Sequence, residues 1–381
     1  VQRPRRLVTV SHSYVVTLNR RLANELARVG GAAWDVTAVA PRFFHGDLGP
    51  IHLKPGPDEA AKVEGVHVFL SRSPHAFVYG PELREHLRGA DLVHAWEEPY
   101  VLAGLEAAML TPRHVPFVFS TFQNLSKRYP PPFAQTERFV VRRSAGWVAW
   151  GETVKDNLLG RPGYASRPTR VIPVGVDTEL FRPDRASGAA VRRELGWESD
   201  GPPVVGYLGR FVPEKGLSLL MQALEQLQSP WRALFTGGGP QEAELRAWAA
   251  RQGDRVRVLT GVSHDGVPRV LNAMDVLCAP SQTTPRWKEQ FGRMLSEAFA
   301  CGVPVLGSDS GEIPHTVGDA GLVLPEADTS AWTRALGALL ESPERRQELA
   351  IRSRERAVTR FAWPVVARAH LDFFDELLAR R

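Results

Sequence analysis

Short, almost unbroken apolar runs recur along the chain with helical stretches between them, and this rhythm restricts the fold more than any other feature. The first set is LVTVSH (7–12), WDVTAVA (34–40), VHVFL (66–70), DLVHAW (91–96), PFVFST (116–121), GWVAW (146–150) and RVIPV (170–174). Strands that alternate apolar and polar residues bury one face; near-continuous apolar strands bury both, as in a parallel sheet covered by helices. Helical patterns over 17–29, 81–88, 100–110, 133–143 and 152–159 separate most of these runs. Strand–helix–strand alternation of this kind predicts a doubly wound α/β domain.

The rhythm pauses at GVDTELFRPDRASG (175–188) and restarts with PVVGYLG (203–209), RALFTG (232–237), RVRVLTG (255–261), DVLCAPS (275–281), VPVLGSD (303–309) and GLVLP (321–325). At 381 residues the chain exceeds what one core usually organises. The expectation is two Rossmann-like domains, 1–177 and 178–363, with a helix at about 364–381 packing back on the first. A cleft between them is then the default ligand site, because α/β sheets bind ligands beyond the carboxyl ends of their strands.

Composition narrows the partners. A net charge of +5 in a chain of this size is mild, so no nucleic-acid partner is expected. It suits an anionic ligand such as a phosphate ester, or an anionic membrane surface. No apolar run is long enough to span a bilayer, the start lacks a signal-peptide core, and its missing Met suggests a trimmed sequence. Two cysteines, Cys278 and Cys301, sit in apolar contexts and fit a reducing cytoplasm. Only six lysines occur, so Lys215, beside Arg210 at a strand–helix turn, stands out.

The densest chemistry lies in KEQFGRMLSEAFACG (288–302). Phe291, Met294, Leu295, Ala298 and Phe299 have helical spacing, which places the helix start near Phe291-Gly292 and leaves Glu289 in the preceding loop. Glu297 falls off the apolar stripe. A helix terminus of this kind offers free N–H groups and a positive dipole end to an anion. Two surface glutamates flanking a core helix explain the spacing equally well. A solvated loop likewise accounts for Arg210 and Lys215, and a tight turn for the glycines of FTGGGP (235–240), including Gly238.

Taken together, the strand leading into GRFVPEKG, then TGGGP and PSQTTPRWKEQFGRMLSEAFACGVPVLGSDSGEIP, resemble the donor domain of glycosyltransferase family 4, the group 1 glycosyltransferases. That resemblance implies a GT-B fold and retaining transfer from a nucleotide sugar. It implies that Arg210 and Lys215 hold the donor diphosphate, that Glu289 bonds sugar hydroxyls and that Glu297 bonds the ribose. The amides around Phe291, Gly292, Arg293 and Met294 would meet sugar and phosphate, and Val262 would lie near the base.

The first half departs from the family. The loop after its first strand, SHSYVVTLNRR (11–21), has no glycine, and Gln123 stands where members commonly carry a His. Gln cannot titrate. His94, Glu97 and Glu98, in DLVHAWEEPY, are therefore candidates for acid–base work, with His12 and Gln123 as further acceptor-side candidates. His12 and His94 are equally read as hydrogen-bonded structural residues. The basic, aromatic loop KRYPPPF (127–133) leaves peripheral contact with the inner face of a membrane open.

The function expected is metal-independent, retaining hexosyl transfer from a nucleoside diphosphate sugar, with a UDP-sugar as the expected donor and no other cofactor. The acceptor is expected to be a carbohydrate or lipid-linked hydroxyl, with the departing phosphate oxygen taking its proton. A nucleotide-sugar epimerase, a sugar phosphorylase or a non-catalytic nucleotide-sugar-binding protein are the rival readings.

Overall fold

The computed structural model describes residues 3–46, 49–73, 75–198 and 201–380. Val1, Gln2 and Arg381, the extremes of the expected domain ranges, lie outside the described residues. In the first half the strands are β1 (Arg5–Val10), β2 (Trp34–Pro41), β3 (Phe43–Gly46), β4 (Gly49–His52), β5 (Lys62–Val66), β6 (Val68–Phe69), β7 (Val78–Tyr79), β8 (Leu92–Ala95), β9 (Phe117–Thr121), β10 (Gly146–Ala149) and β11 (Thr169–Val171). The second half contributes β12 (Val204–Arg210), β13 (Arg232–Gly238), β14 (Val256–Leu259), β15 (Val276–Ala279), β16 (Val305–Ser308) and β17 (Gly321–Leu324).

Contacts divide the chain into two compact units, Val1–Pro173 with Trp363–Arg381, and Val174–Ala362. The division falls at 173/174, four residues before the expected 177/178. Residue 176 explains the difference, since the Val176 N–H donates to the Phe361 carbonyl at 2.8 Å and Val176 bridges Ala362. Those contacts tie the segment after Pro173 to the second unit.

Among the described residues, the first unit holds a sheet in the order β11-β10-β9-β8-β1-β2-β5, all pairs parallel. The apolar runs account for it: all of β8, β9 and β10 is buried. The run 66–70 does not form one strand. Val66 ends β5, and Val68–Phe69 pairs antiparallel with β7 in a separate ribbon. The helix Trp363–Ala379 packs on the helix Arg21–Gly30 and buries His370, Phe373 and Phe374. The chain reaches it through a π-type turn at Ala357–Phe361, and Pro364 stands in the new helix's first turn, where its missing N–H costs nothing.

The second unit holds a parallel sheet in the order β14-β13-β12-β15-β16-β17. Strand order reverses between β1 and β8 in the first unit and between β12 and β15 in the second. At such a switch point the connections leave toward opposite faces, opening a crevice at the carboxyl ends of the two strands. No helix of the described residues is long and apolar enough to cross a membrane.

Candidate functional site

In the second unit the crevice lies between the exits of β12 and β15. β12 runs into a 3-10 turn, Pro213–Lys215, which ends at Gly216 with φ +70°. A Cβ on Gly216 would lie 1.8 Å from the Pro280 carbonyl oxygen, so only glycine lets this turn rest against the β15 exit. The close approach carries Lys215 across the switch point to the loop after β15. There its ammonium forms an ion pair with a Glu289 carboxylate oxygen, and the Ser281 hydroxyl donates to that same oxygen at 2.9 Å. The Lys215 nitrogen also lies 5.1 Å from the centre of the Trp287 ring. The two side chains of the pair are 12% and 8% exposed.

Glu289 is held from β16 as well. Its carbonyl accepts the Glu312 N–H at 3.0 Å, and Gly311 packs so tightly on it that a Cβ there would meet that oxygen at 2.0 Å. Three residues on, Gly292 (φ +74°) opens the helix Arg293–Ala300 without a side-chain cap. First-turn amides of a helix have no partner within it, so this terminus presents N–H groups and positive potential. Phe291 anchors the terminus by packing edge-on against Phe361, ring centres 5.9 Å apart. Glu297 is half-buried on the same helix; burial pushes its carboxyl up to about 7, against the opposing charge of Arg293. Arg293 itself is exposed and Met294 half-buried.

Arg210 ends β12 and is exposed, and in the ladder it pairs with Gly238. The neighbouring glycines have a packing reason: a Cβ on Gly237 would lie 1.8 Å from the Gly209 oxygen. Gly238 has open space on its Cβ side. Val262 is half-buried in the loop beyond β14. The structure thus brings Lys215, Glu289 and the helix start together, with Arg210 and Gly238 on the adjoining strand ends. Ser281 and Trp287 were not expected. Nothing in their spacing marks them, because the Lys215–Glu289 pair, which Ser281 joins at Glu289 and Trp287 at Lys215, forms where the Gly216–Pro280 contact brings two distant loops together.

In the first unit, His12 lies just beyond β1 and Glu97 just beyond β8, at that sheet's own switch point. Glu97 accepts the His12 backbone N–H at 2.6 Å, its imidazole Nδ1 at 2.8 Å and the Tyr79 hydroxyl at 2.6 Å. Burial lowers the His12 pKa, but the charge and hydrogen bond of Glu97 outweigh it and the net shift is upward. Sequence spacing gives no sign of Tyr79, which arrives on a separate ribbon.

His94 departs from the expectation. Its side chain is fully buried, with Nδ1 3.2 Å from the Thr9 hydroxyl and Nε2 2.8 Å from that of Ser120. The rings of His370 and Phe374 lie 5.8 and 5.4 Å away. Burial holds it well below the usual imidazole range, with the His370 charge acting the same way, so it is a neutral core group under the C-terminal helix. Gln123 is also buried. Its amide nitrogen donates to Glu98 at 2.7 Å, and its oxygen accepts from the Tyr129 hydroxyl at 2.6 Å and Arg161 at 3.1 Å.

Comparison with known proteins settles the family. Residues 192–356 match the glycosyl transferases group 1 description, and residues 15–180 match Glycosyltransferase Family 4. The chain belongs to the group 1 glycosyltransferases. It is similar to a D-inositol 3-phosphate glycosyltransferase of Xylanimonas cellulosilytica, 34% identical over 64% of this chain and 60% of the relative. A GDP-mannose-dependent alpha-(1-6)-phosphatidylinositol monomannoside mannosyltransferase of Mycobacterium tuberculosis is 28% identical over 91% of this chain and 90% of the relative. Among solved structures, Anabaena HepE in complex with UDP and glucose superposes with a TM-score of 0.73 at 18% identity, covering 98% of this chain and 100% of HepE. At that identity the likeness carries the fold, which is GT-B. The matched part spans only 60%, 59% and 52% of the first three curated relatives' own lengths.

Proposed function

We propose that this glycosyltransferase moves a hexosyl group from a nucleoside diphosphate sugar to a hydroxyl of a carbohydrate or lipid-linked acceptor, in the cytoplasm, with retention and without a metal ion. The observation that carries the proposal is the Lys215–Glu289 pair beside the uncapped start of the helix Arg293–Ala300. A departing diphosphate needs fixed positive charge, and preorganised charge at a strand-end crevice is an effective way to stabilise it. Lys215, Arg210 and the first amides of the helix supply that charge. In this reading Glu289, held from three sides, accepts hydrogen bonds from sugar hydroxyls. In this reading Glu297, on the helix Arg293–Ala300, bonds the ribose.

Retention by same-face attack asks for stabilised leaving-group charge rather than an enzyme nucleophile, which suits a Glu289 already engaged with Lys215 and Ser281. A UDP-sugar is the donor we favour, supported by the UDP bound to HepE. A GDP-sugar is the alternative, supported by the GDP-mannose dependence named for the mycobacterial relative.

Thermal-shift screening with UDP-glucose, GDP-mannose and ADP-glucose tests the donor, because a ligand of the folded state raises the melting temperature. Product analysis with D-inositol 3-phosphate and with 2-deoxystreptamine, the compound in the name of a 31% identical Streptomyces kanamyceticus glucosyltransferase, then tests transfer. A melting shift confined to UDP-glucose, followed by a glycosylated acceptor, is the expected result. No shift with any nucleotide sugar would overturn the reading.

A further inference from the structure

A cavity of about 900 Å³ opens in the second unit, at the other end of its sheet from the crevice described above. Met274 and Asp275 stand just before β15, and Val303 and Pro304 just before β16, so its floor is the amino edge of these strands. The helices Arg185–Glu194 and Pro343–Arg356 supply the walls. We infer that this cavity binds an amphiphile made of an aliphatic body and one anionic head, a carboxylate or a phosphate monoester. The inference goes beyond donor and acceptor binding and does not depend on the transfer proposed above.

Size and walls together call for the aliphatic body. Cavities of about 300–1,000 Å³ are the class that holds small molecules. Met274 and Val303 are buried in its floor. Ile351 and Val358 line it as well, yet they are 59% and 42% exposed. Single exposed apolar residues are ordinary, but these two, seven positions apart, border one concavity. A ligand that fills it covers both, and the gain grows with the apolar area removed from water. A protein partner fits less well, because a stable interface needs about 800 Å² from each side, far more than two side chains provide.

The charges of the lining call for the anionic head. Four arginines and three carboxylates line the cavity, so it is net positive. Two of the carboxylates are engaged within the fold: Asp275 pairs with Arg192 at 2.8 Å, and Asp184 caps its helix by accepting the Ser187 N–H at 2.9 Å. Arg346 donates to the Leu340 carbonyl at 2.8 Å and Arg354 to the Ala300 carbonyl at 2.7 Å. Those carbonyls belong to the last turns of the helices Thr329–Glu341 and Arg293–Ala300. A helix terminus carries only about half a negative charge, so each guanidinium keeps a positive remainder. Among the described residues no carboxylate pairs with Arg185, Arg346 or Arg354, and Glu355, which is exposed, is the lining carboxylate left to oppose them. Guanidinium forks suit carboxylate and phosphate oxygens. The site is separate from the donor crevice. The helix Arg293–Ala300 starts at that crevice and ends at Cys301 and Gly302, which line the cavity, roughly 12 Å away at 1.5 Å per residue.

Isothermal titration of the 381-residue chain tests this with decanoate and decyl phosphate, beside decanol, acetate and inorganic phosphate. At least one of the two anionic amphiphiles should bind saturably at one site, and the tighter of them assigns the head. Decanol lacks the charge and should bind at least about tenfold more weakly; acetate and inorganic phosphate lack the body and should not bind. Ile351→Asp and Arg185→Glu change exposed positions, so both variants should fold as wild type does. Each should weaken binding of the tighter amphiphile by about tenfold or more, with the melting temperature and the response to UDP-glucose and GDP-mannose unchanged. No saturable binding of either anion, decanol binding as tightly as they do, or an affinity unmoved in both variants would overturn the inference. Displacement of the amphiphile by UDP or GDP would also overturn it, by placing the amphiphile in the donor crevice. So would a wild-type dimer that Ile351→Asp dissolves while neither anion binds, which would make the groove a protein-docking face. Each of these results leaves glycosyl transfer intact.

Discussion

Lys215 and Glu289, 74 positions apart, meet as a nearly buried ion pair across the junction of β12 and β15. Neither can be removed without leaving the other in a poorly hydrated place. Breaking a buried pair from one side costs roughly 3–5 kcal/mol, whereas replacing both partners by neutral groups costs far less. Chemical denaturation should therefore show Lys215→Ala to be strongly destabilised and Lys215→Met/Glu289→Gln to recover most of the loss. Equal destabilisation in the single and double variants would mean that the pair is not what holds the two loops together.

Lys215 should also matter to the ligand. A charge-assisted contact to diphosphate is worth about 2–3 kcal/mol, so Lys215→Ala should weaken nucleoside diphosphate binding by that amount in calorimetric titration. Glu289→Gln should keep measurable donor affinity, lose turnover, and show no trapped glycosyl-enzyme by mass spectrometry.

His94→Ala should separate stability from chemistry. Losing a fully buried ring bonded to Thr9 and Ser120 should cost about 2–4 kcal/mol and lower the melting temperature. The protein that remains folded should keep its kcat, measured well below the new midpoint.

Burial pushes the Glu98 carboxyl up to about 7, against hydrogen bonds from the Phe122 N–H, the Thr121 hydroxyl and the Gln123 amide. In the unfolded chain the same group titrates near about 4.3. Between those values the folded state binds the extra proton, so this group's contribution to stability is full below the lower pKa and is lost as pH rises through the upper one. Denaturation series from pH 4.5 to 8 should show the advantage of wild type over Glu98→Gln shrinking with pH, by an amount on the order of 2 kcal/mol. An advantage that grows with pH would contradict a raised pKa.

The legibility of the sequence followed locality. Parallel strands buried on both faces read directly as apolar runs, and the stretch 288–302 carries its helix start, its glycine and both glutamates within one segment. The run 66–70 misled because its apolar character continues past the end of β5 into a different ribbon. His94 misled for a long-range reason: the helix that covers it, Trp363–Ala379, lies at the far end of the chain, and no local pattern reveals that cover. The partnership of His12 with Glu97 is likewise set by the adjacency of β1 and β8, which strand order alone decides.

Metal independence is the expectation for a site whose charge comes from Lys215, Arg210 and helix amides. Transfer activity should survive dialysis against EDTA, and activity restored only by magnesium or manganese would contradict it.

The central claim is transfer with retention, and the anomeric configuration of the first product tests it most directly. Proton NMR of the product formed from an α-linked nucleotide sugar, recorded before any mutarotation or further reaction, should show the small coupling of an α-linkage for a gluco-configured donor. A β-linked first product would establish inversion and contradict the same-face mechanism.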